Sequence, residues 1–343
     1  MTPVIFGIAG ERLSPYEAAF FKDADPAGYI LFGRNCIDRE QMLALTDELR
    51  ALHGRERLYI CIDQEGGRVA RMKPPQWPAF PAGAVFDALY QVAPASAIEA
   101  ARANAEALGR ELAAVGITAD CHPPLDVGRE GAHDVIGDRA LGSNARQVAA
   151  IGRAILDGLE RAGVAGCIKH MPGHGRSSVD THKELPRVTA SAAELAEDIA
   201  PFKALNTAPA GMTGHLIFTA WDEDHPATLS SRVISEIIRG EIGFDGLLMT
   251  DDIDMEALSG TIPERGAAAI AAGCDLVLNC WAKMDDMKGL AERLPEPSEK
   301  GKERLEAALA RTRLAPGEAQ EGERTRELLA RRDALIAAAG VAA

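Results

Sequence analysis

A closed (β/α)8 barrel is the fold this sequence predicts, and three observations carry the prediction. Eight short β-rich runs alternate with amphipathic helical patterns, which implies a parallel sheet wrapped by helices. Six of the runs end on polar residues: Asp63; Asp120 with His122; Lys169 with His170; Thr213 with His215; Asp251 with Asp252; and Asn279. Barrel enzymes gather such residues at the C-terminal ends of their strands. The first run is not followed by G-x-G-x-x-G, so a doubly wound nucleotide-binding sheet has no support. At 343 residues, 47% of them apolar, the chain is long enough to fill such a barrel as one domain.

Taken in order, the runs cover residues 4–7, 28–32, 58–63, 118–121, 166–169, 211–213, 247–251 and 275–279. Between the third and fourth, Ser96 and Glu99 have capping-box spacing. Ile98, Ala101, Ala105, Leu108, Leu112 and Val115 then recur at helical period up to Gly116. Val148, Ile151, Ile155 and Leu159 mark another helix, which Gly163 ends. Ser191 and Glu194 form a second box. The proline-bearing stretch 77–86 reads as an irregular excursion at the rim of the site. From about residue 295 the composition turns to Glu, Arg, Ala and Leu. One or two helices are expected there, packed outside the barrel or extending from it. The chain is therefore divided into a catalytic barrel, 1–295, and a C-terminal helical extension, 296–343.

Composition excludes some functions. A net charge of −14 argues against nucleic acid and against an anionic membrane surface. The six Cys show no C-x-x-C spacing, and several lie in apolar runs, as buried free thiols in a reducing compartment do. The start of the chain has no basic n-region followed by a long apolar stretch, and no run is long enough to span a bilayer. A cytoplasmic monomer acting on a small molecule is expected.

The richest stretch is 167–182. After an apolar strand come Lys169-His170-Met171-Pro172-Gly173-His174-Gly175 and then Asp180-Thr181-His182. Asp180 and His182 are two apart, so in extended chain they share a face. A carboxylate beside an imidazole fixes its tautomer, which equips a His as general acid or base. Strand three ends in Asp63-Gln64-Glu65-Gly66-Gly67-Arg68-Val69-Ala70-Arg71, where two acids, two Arg and a Gly pair can hold a polar ligand or merely form an ion-paired turn. In Gly137-Asp138-Arg139, Arg139 can fork onto a ligand or brace its own loop. Strand seven ends in Thr250-Asp251-Asp252-Ile253-Asp254. One of these acids can serve as a nucleophile at a sugar's anomeric carbon, hold a metal, or cap the next helix. A metal site from His170, His174, His182, His215 and Asp251 is the competing chemistry. No H-E-x-x-H supports it. A binding protein without turnover would have no use for the Asp180/His182 pair.

Together, Lys169 to Gly175, Asp180-x-His182, Thr250-Asp251-Asp252-x-x-Met255 and Asp63 to Val69 resemble the β-N-acetylglucosaminidases of glycoside hydrolase family 3. So do Gly28 to Phe32 with Arg34-Asn35, Pro226 to Ser230, and Ala272 to Asp275. The resemblance implies a barrel and a retaining, two-step mechanism with no cofactor and no metal. Asp251 would be the nucleophile, His182 the acid/base and Asp180 its partner. Asp63, Arg71, Arg139, Lys169 and His170 would hold the sugar. It further implies removal of terminal N-acetylglucosamine from anhydro-N-acetylmuramyl-peptides in cell-wall recycling. A phosphorylase or β-glucosidase on the same barrel stays open as an alternative. Three positions depart from the family pattern: Thr181 where Ser is usual, Arg176 where an acid is common, and Gly214 before His215 where Ala is usual.

Overall fold

A computed structural model describes residues 1–129, 134–177, 185–313 and 322–342. Eight parallel strands close into a barrel: β1 (Thr2–Gly7), β2 (Pro26–Leu31), β3 (Tyr59–Ile62), β4 (Ala119–Asp120), β5 (Ala165–Met171), β6 (Ala210–Thr213), β7 (Leu247–Asp252) and β8 (Leu276–Asn279). Each pairs with its neighbour in sequence. The seam closes where β1 lies beside β8, with Val4 opposite Val277 and Phe6 opposite Asn279. All eight predicted runs coincide with these strands to within a few residues.

Strand alternation sorts the side chains into two cores. Ile5, Tyr59, Cys61, Cys167, Leu247, Met249 and Leu278 fill the barrel interior. Their neighbours Phe6, Ile60, Ile62, Ile168 and Leu248 face the surrounding helices. Continuing the inward series one step beyond Cys61, Cys167 and Met249 puts Asp63, Lys169 and Asp251 at the barrel mouth.

The helices follow local signals. α1 (Pro15–Ala24), α2 (Arg39–His53) and α3 (Gly83–Val92) precede the long α4 (Pro94–Ala114). The box expected at Ser96 is not a cap. Pro94 starts the helix two residues earlier, its fixed φ suiting a first turn. Ser96 and Glu99 then lie inside α4, and Glu99 pairs with Arg102. α5 (Ala145–Ala162) ends where Gly163 takes φ 81°. α6 (Ala192–Ala204) begins at a reciprocal Ser191–Glu194 box, as its spacing predicts. A π-helix spans Val233–Glu241, and α7 (Ile262–Ala272) and α8 (Met284–Arg293) complete the outer ring.

Two further helices follow α8 among the described residues. α9 (Glu299–Ala310) turns Leu305, Ala308 and Leu309 into the interior core that includes Tyr59, Leu247 and Leu276, and so floors the barrel. Arg304 locks it there through Asp275 at 3.0 Å. α10 (Glu323–Ala338) lies on α4, where Arg332 donates to Asn104 at 3.0 Å.

The stretch 77–86 does not line the mouth. Trp77 and Phe80 are buried in the outer core, and Phe80 O accepts from Gly67 N at 2.8 Å. The strap props the Gly66-Gly67 turn from behind. Five of the six Cys are buried, and all six are free thiols.

Candidate active site

At the C-terminal mouth of the barrel a pocket of about 180 Å3 opens. Asp63, Arg71, Arg139, Lys169, His170 and Asp251 all line it. Six of the eight sequence-predicted site residues are thus brought together. The other two, Asp180 and His182, lie outside the described residues.

Lys169 anchors the floor. It is only 2% exposed, and its Nζ donates to Asp63 Oδ1 at 2.9 Å and lies 2.7 Å from Glu65 Oε1. Arg139 forks onto Glu65, Nε to Oε2 at 2.9 Å and Nη2 to Oε1 at 2.7 Å. Arg71 reaches Asp63 Oδ2 at 3.2 Å. Burial alone would raise both acids, but the surrounding cations outweigh it. Asp63 is held below the usual carboxylate range by Lys169 and Arg71. Glu65 is held well below it by Arg139 and Lys169. Burial would in turn lower Lys169, but Asp63 and Glu65 raise it above its ordinary value. The five groups form a continuous ion-paired lattice along one wall. Glu65, which the sequence offered only as one of two acids, occupies the fork of Arg139 and so fixes how that side chain faces the pocket.

The Gly pair beside Glu65 does not admit a ligand. Gly66 has φ 104°, and a Cβ there would stand 2.3 Å from Pro81 O. The close approach is to the protein's own strap.

The acids ending β7 have different surroundings. Asp251 Oδ1 accepts from Asp252 N at 2.8 Å, the sole hydrogen bond to this carboxylate among the described residues. Burial raises its pKa, but His170, His215, the Asp252 N–H and Lys169 together hold it below the ordinary value. Asp252 Oδ1 instead accepts from Asp254 N at 3.0 Å and Cys280 N at 3.3 Å. Burial and the adjacent Asp254 push its pKa well up. Asp254 Oδ2 accepts from Asn279 Nδ2 and from the backbone N–H groups of Cys280 and Trp281. Neither Asp252 nor Asp254 caps a helix. Thr261 does that for α7, in a capping box with Glu264.

Asp126 was not singled out from sequence. It is fully buried and accepts from His170 Nδ1 at 2.7 Å, His174 N at 2.7 Å and His170 N at 3.2 Å. One carboxylate thereby aims His170 into the pocket and fastens the turn carrying His174. An acid between two apolar residues, Leu125-Asp126-Val127, is the signal that could have found it. His174 is buried against His170 and pushed down to about 4.

Several other strand-end residues brace loops. Asp120 Oδ1 accepts from Gln64 N at 3.0 Å. His215 is held between Thr228 Oγ1 at 2.8 Å and the Asp252 carbonyl at 2.9 Å. Asn279 bonds Asp254. Among the described residues, no three His, Cys, Asp or Glu side chains are grouped so as to hold a metal ion. No helix among them is long and apolar enough to cross a membrane.

A family model described as the glycosyl hydrolase family 3 N-terminal domain matches residues 8–313. A β-hexosaminidase of Bordetella avium is 39% identical over 297 residues, covering 85% of this chain and 84% of its own length. Native NagZ from Neisseria gonorrhoeae superposes with a TM-score of 0.88 at 32% identity, over 98% of both chains. The same enzyme in complex with N-trifluoroacetyl-D-glucosamine matches equally, at a TM-score of 0.88 over 98% of both chains.

Proposed function

This chain belongs to glycosyl hydrolase family 3, and on that premise we propose that it is an exo-acting, retaining β-N-acetylglucosaminidase. The observation that carries the reading is the divided pair on β7. Among the described residues Asp251 accepts a single hydrogen bond and is held below the ordinary carboxylate range, whereas Asp252 is tied to two backbone N–H groups and pushed toward its neutral form. Only the first suits a nucleophile.

In this reading Asp251 attacks the anomeric carbon as His182 protonates the departing glycosidic oxygen. The C1–O bond breaks, and a covalent glycosyl-Asp251 ester remains. His182 then removes a proton from water as the water oxygen bonds to C1. Asp251 leaves with its electron pair, and the β-configuration is retained. Asp180 orients His182. Asp63, Arg71, Arg139, Lys169 and His170 hold the sugar hydroxyls, and the ion-paired lattice costs no rearrangement during the reaction. Support for exo action is the pocket volume, about 180 Å3, below the roughly 300–1,000 Å3 of common ligand sites. It suits a single terminal sugar. The substrate we assign is N-acetylglucosaminyl-β-1,4-anhydro-N-acetylmuramyl-peptide, cleaved in the cytoplasm during cell-wall recycling.

The test is hydrolysis of an aryl N-acetyl-β-glucosaminide with EDTA present throughout. Wild type turns over and releases the β-anomer. Asp251→Ala loses about a thousandfold or more in kcat. His182→Ala is impaired less on this activated leaving group than on a disaccharide. Loss of wild-type turnover in EDTA, or an active Asp251→Ala, would overturn the assignment.

A further inference from the structure

The loop after β3 carries two arginines, Arg68 and Arg71, that the sequence presents alike as ligand holders. Arg71 lines the pocket and Arg68 does not. Arg68 is engaged with a neighbouring loop instead. Its Nη2 reaches the carbonyl oxygens of Asp134, Val135 and Ile136 at 2.6, 3.0 and 3.2 Å. Its Nε donates to Asp138 Oδ1 at 2.6 Å. One guanidinium thus gathers three consecutive carbonyls and a carboxylate, a set of acceptors that a planar fork of N–H donors can meet and a point charge cannot.

The gathered segment is a wall of the site: Val135, Ile136 and Arg139 all line the pocket. The fork on Glu65 fixes the guanidinium of Arg139, which adds one bond of its own, Nη1 to Val135 O at 3.1 Å. Arg68 ties the backbone on either side of that bond to the β3 loop. The root of the clamp is itself held. Arg68 sits in a tight turn where Glu65 N and Gly66 N both donate to Val69 O, at 2.9 and 3.1 Å, and the strap props the same turn through Gly67. The Arg68 side chain is 45% exposed, so its polar contacts, and not core packing, account for its placement.

We propose that Arg68 is a positioning residue for sugar binding. It holds residues 134–138 against the β3 loop, so that Val135, Ile136 and Arg139 stand as a preformed wall before the sugar arrives. Without it, part of the binding energy must first order that segment, which weakens ground-state and transition-state binding alike. This inference rests on the glycosidase reading above, and the following experiment separates the two.

Hydrolysis of an aryl N-acetyl-β-glucosaminide is measured for wild type, Arg68→Ala and Arg68→Lys, alongside amide hydrogen exchange over residues 134–140. Arg68→Ala raises KM about tenfold, the scale of one charge-assisted hydrogen bond, with kcat within about twofold of wild type. A merely structural role would lower kcat with the folded fraction and leave KM alone; that result, or no change at all, would overturn the proposal. Arg68→Lys keeps the charge but recovers little of the loss. Full recovery would show that charge alone acts, and would overturn the clamp. Exchange is a readout independent of turnover. Arg139 N donates to Ile136 O at 2.9 Å and Ala140 N to Gly137 O at 3.2 Å, so both amides have protection to lose, and in Arg68→Ala they exchange about tenfold faster. Unchanged exchange would overturn the clamp and leave the glycosidase reading intact. A wild-type enzyme that does not turn over the aryl glycoside would refute the glycosidase reading, and the sugar-binding role of Arg68 with it.

Discussion

Replacing Asp126 by Asn tests the positioning of His170 with little change of volume. Two of the three bonds to Asp126 come from backbone N–H groups, those of His170 and His174, and both reach Oδ1. An Asn must keep its carbonyl oxygen there, because the flipped amide would set an NH2 against two N–H donors. The NH2 then faces His170 Nδ1, where Oδ2 now accepts at 2.7 Å. A donor in that place forces the ring to accept at Nδ1 and carry its proton on Nε2. The change exchanges a charge-assisted hydrogen bond for a neutral one, a loss of about 1–1.5 kcal/mol. If the charged bond aims His170 at the substrate, kcat/KM falls by roughly 5- to 12-fold, at about 1.4 kcal/mol per tenfold. The assay is aryl N-acetyl-β-glucosaminide hydrolysis at 25 °C, with circular dichroism establishing the folded fraction. Asp126→Leu, which abandons all three donors, should lose stability as well as activity. An Asp126→Asn enzyme within twofold of wild type would refute the positioning argument.

Two further outcomes follow from the buried site. His122 and His174 are both pushed down to about 4, chiefly by burial, from an ordinary 6.5. The unfolded chain binds protons between these values and the folded chain does not, so stability falls as pH drops from 6.5 to 4, by about 3 kcal/mol per ring. Asp63, Glu65 and Asp251, held below their ordinary values, add their loss only as the pH falls further, through those lowered values. A melting temperature that stays flat from pH 7 to pH 5 would contradict this. Gly66→Ala combines a positive φ with a Cβ 2.3 Å from Pro81 O, and should cost about 3 kcal/mol. Gly10→Ala, with nothing within 4 Å, is the control; equal melting temperatures for the two variants would show that the strap yields.

The strands were legible because a β-rich run ending on a polar residue, with successive side chains on opposite faces, is a local property of a few residues. The same rule makes Asp63, Lys169 and Asp251 point inward, since each extends an apolar interior series. What could not be read was pairing. Nothing local to Lys169 announces that it lies between Asp63 and Glu65, or that Arg139 is occupied by Glu65. Sequence likewise offered six polar strand ends as equals, whereas Asp120, His215 and Asn279 turned out to hold loops. Asp126 escaped because it carries no motif spacing and sits in a loop after a two-residue strand. The Ser96–Glu99 box misled because Pro94 is the stronger start signal. Asp251 and Asp252 were indistinguishable as a dipeptide; their hydrogen-bond partners separate them.

The position of α9 bears on how the protein comes into being. The first strand waits for the last, since β1 finds its second neighbour only in β8. Even then the interior stays open below until Leu305, Ala308 and Leu309 arrive to meet Tyr59, Leu247 and Leu276. During synthesis, therefore, the emerging chain cannot seal its core until almost the whole of it has left the ribosome. A premature stop ahead of α9 would release a barrel with its interior open to water, a target for proteolysis and not a smaller working enzyme.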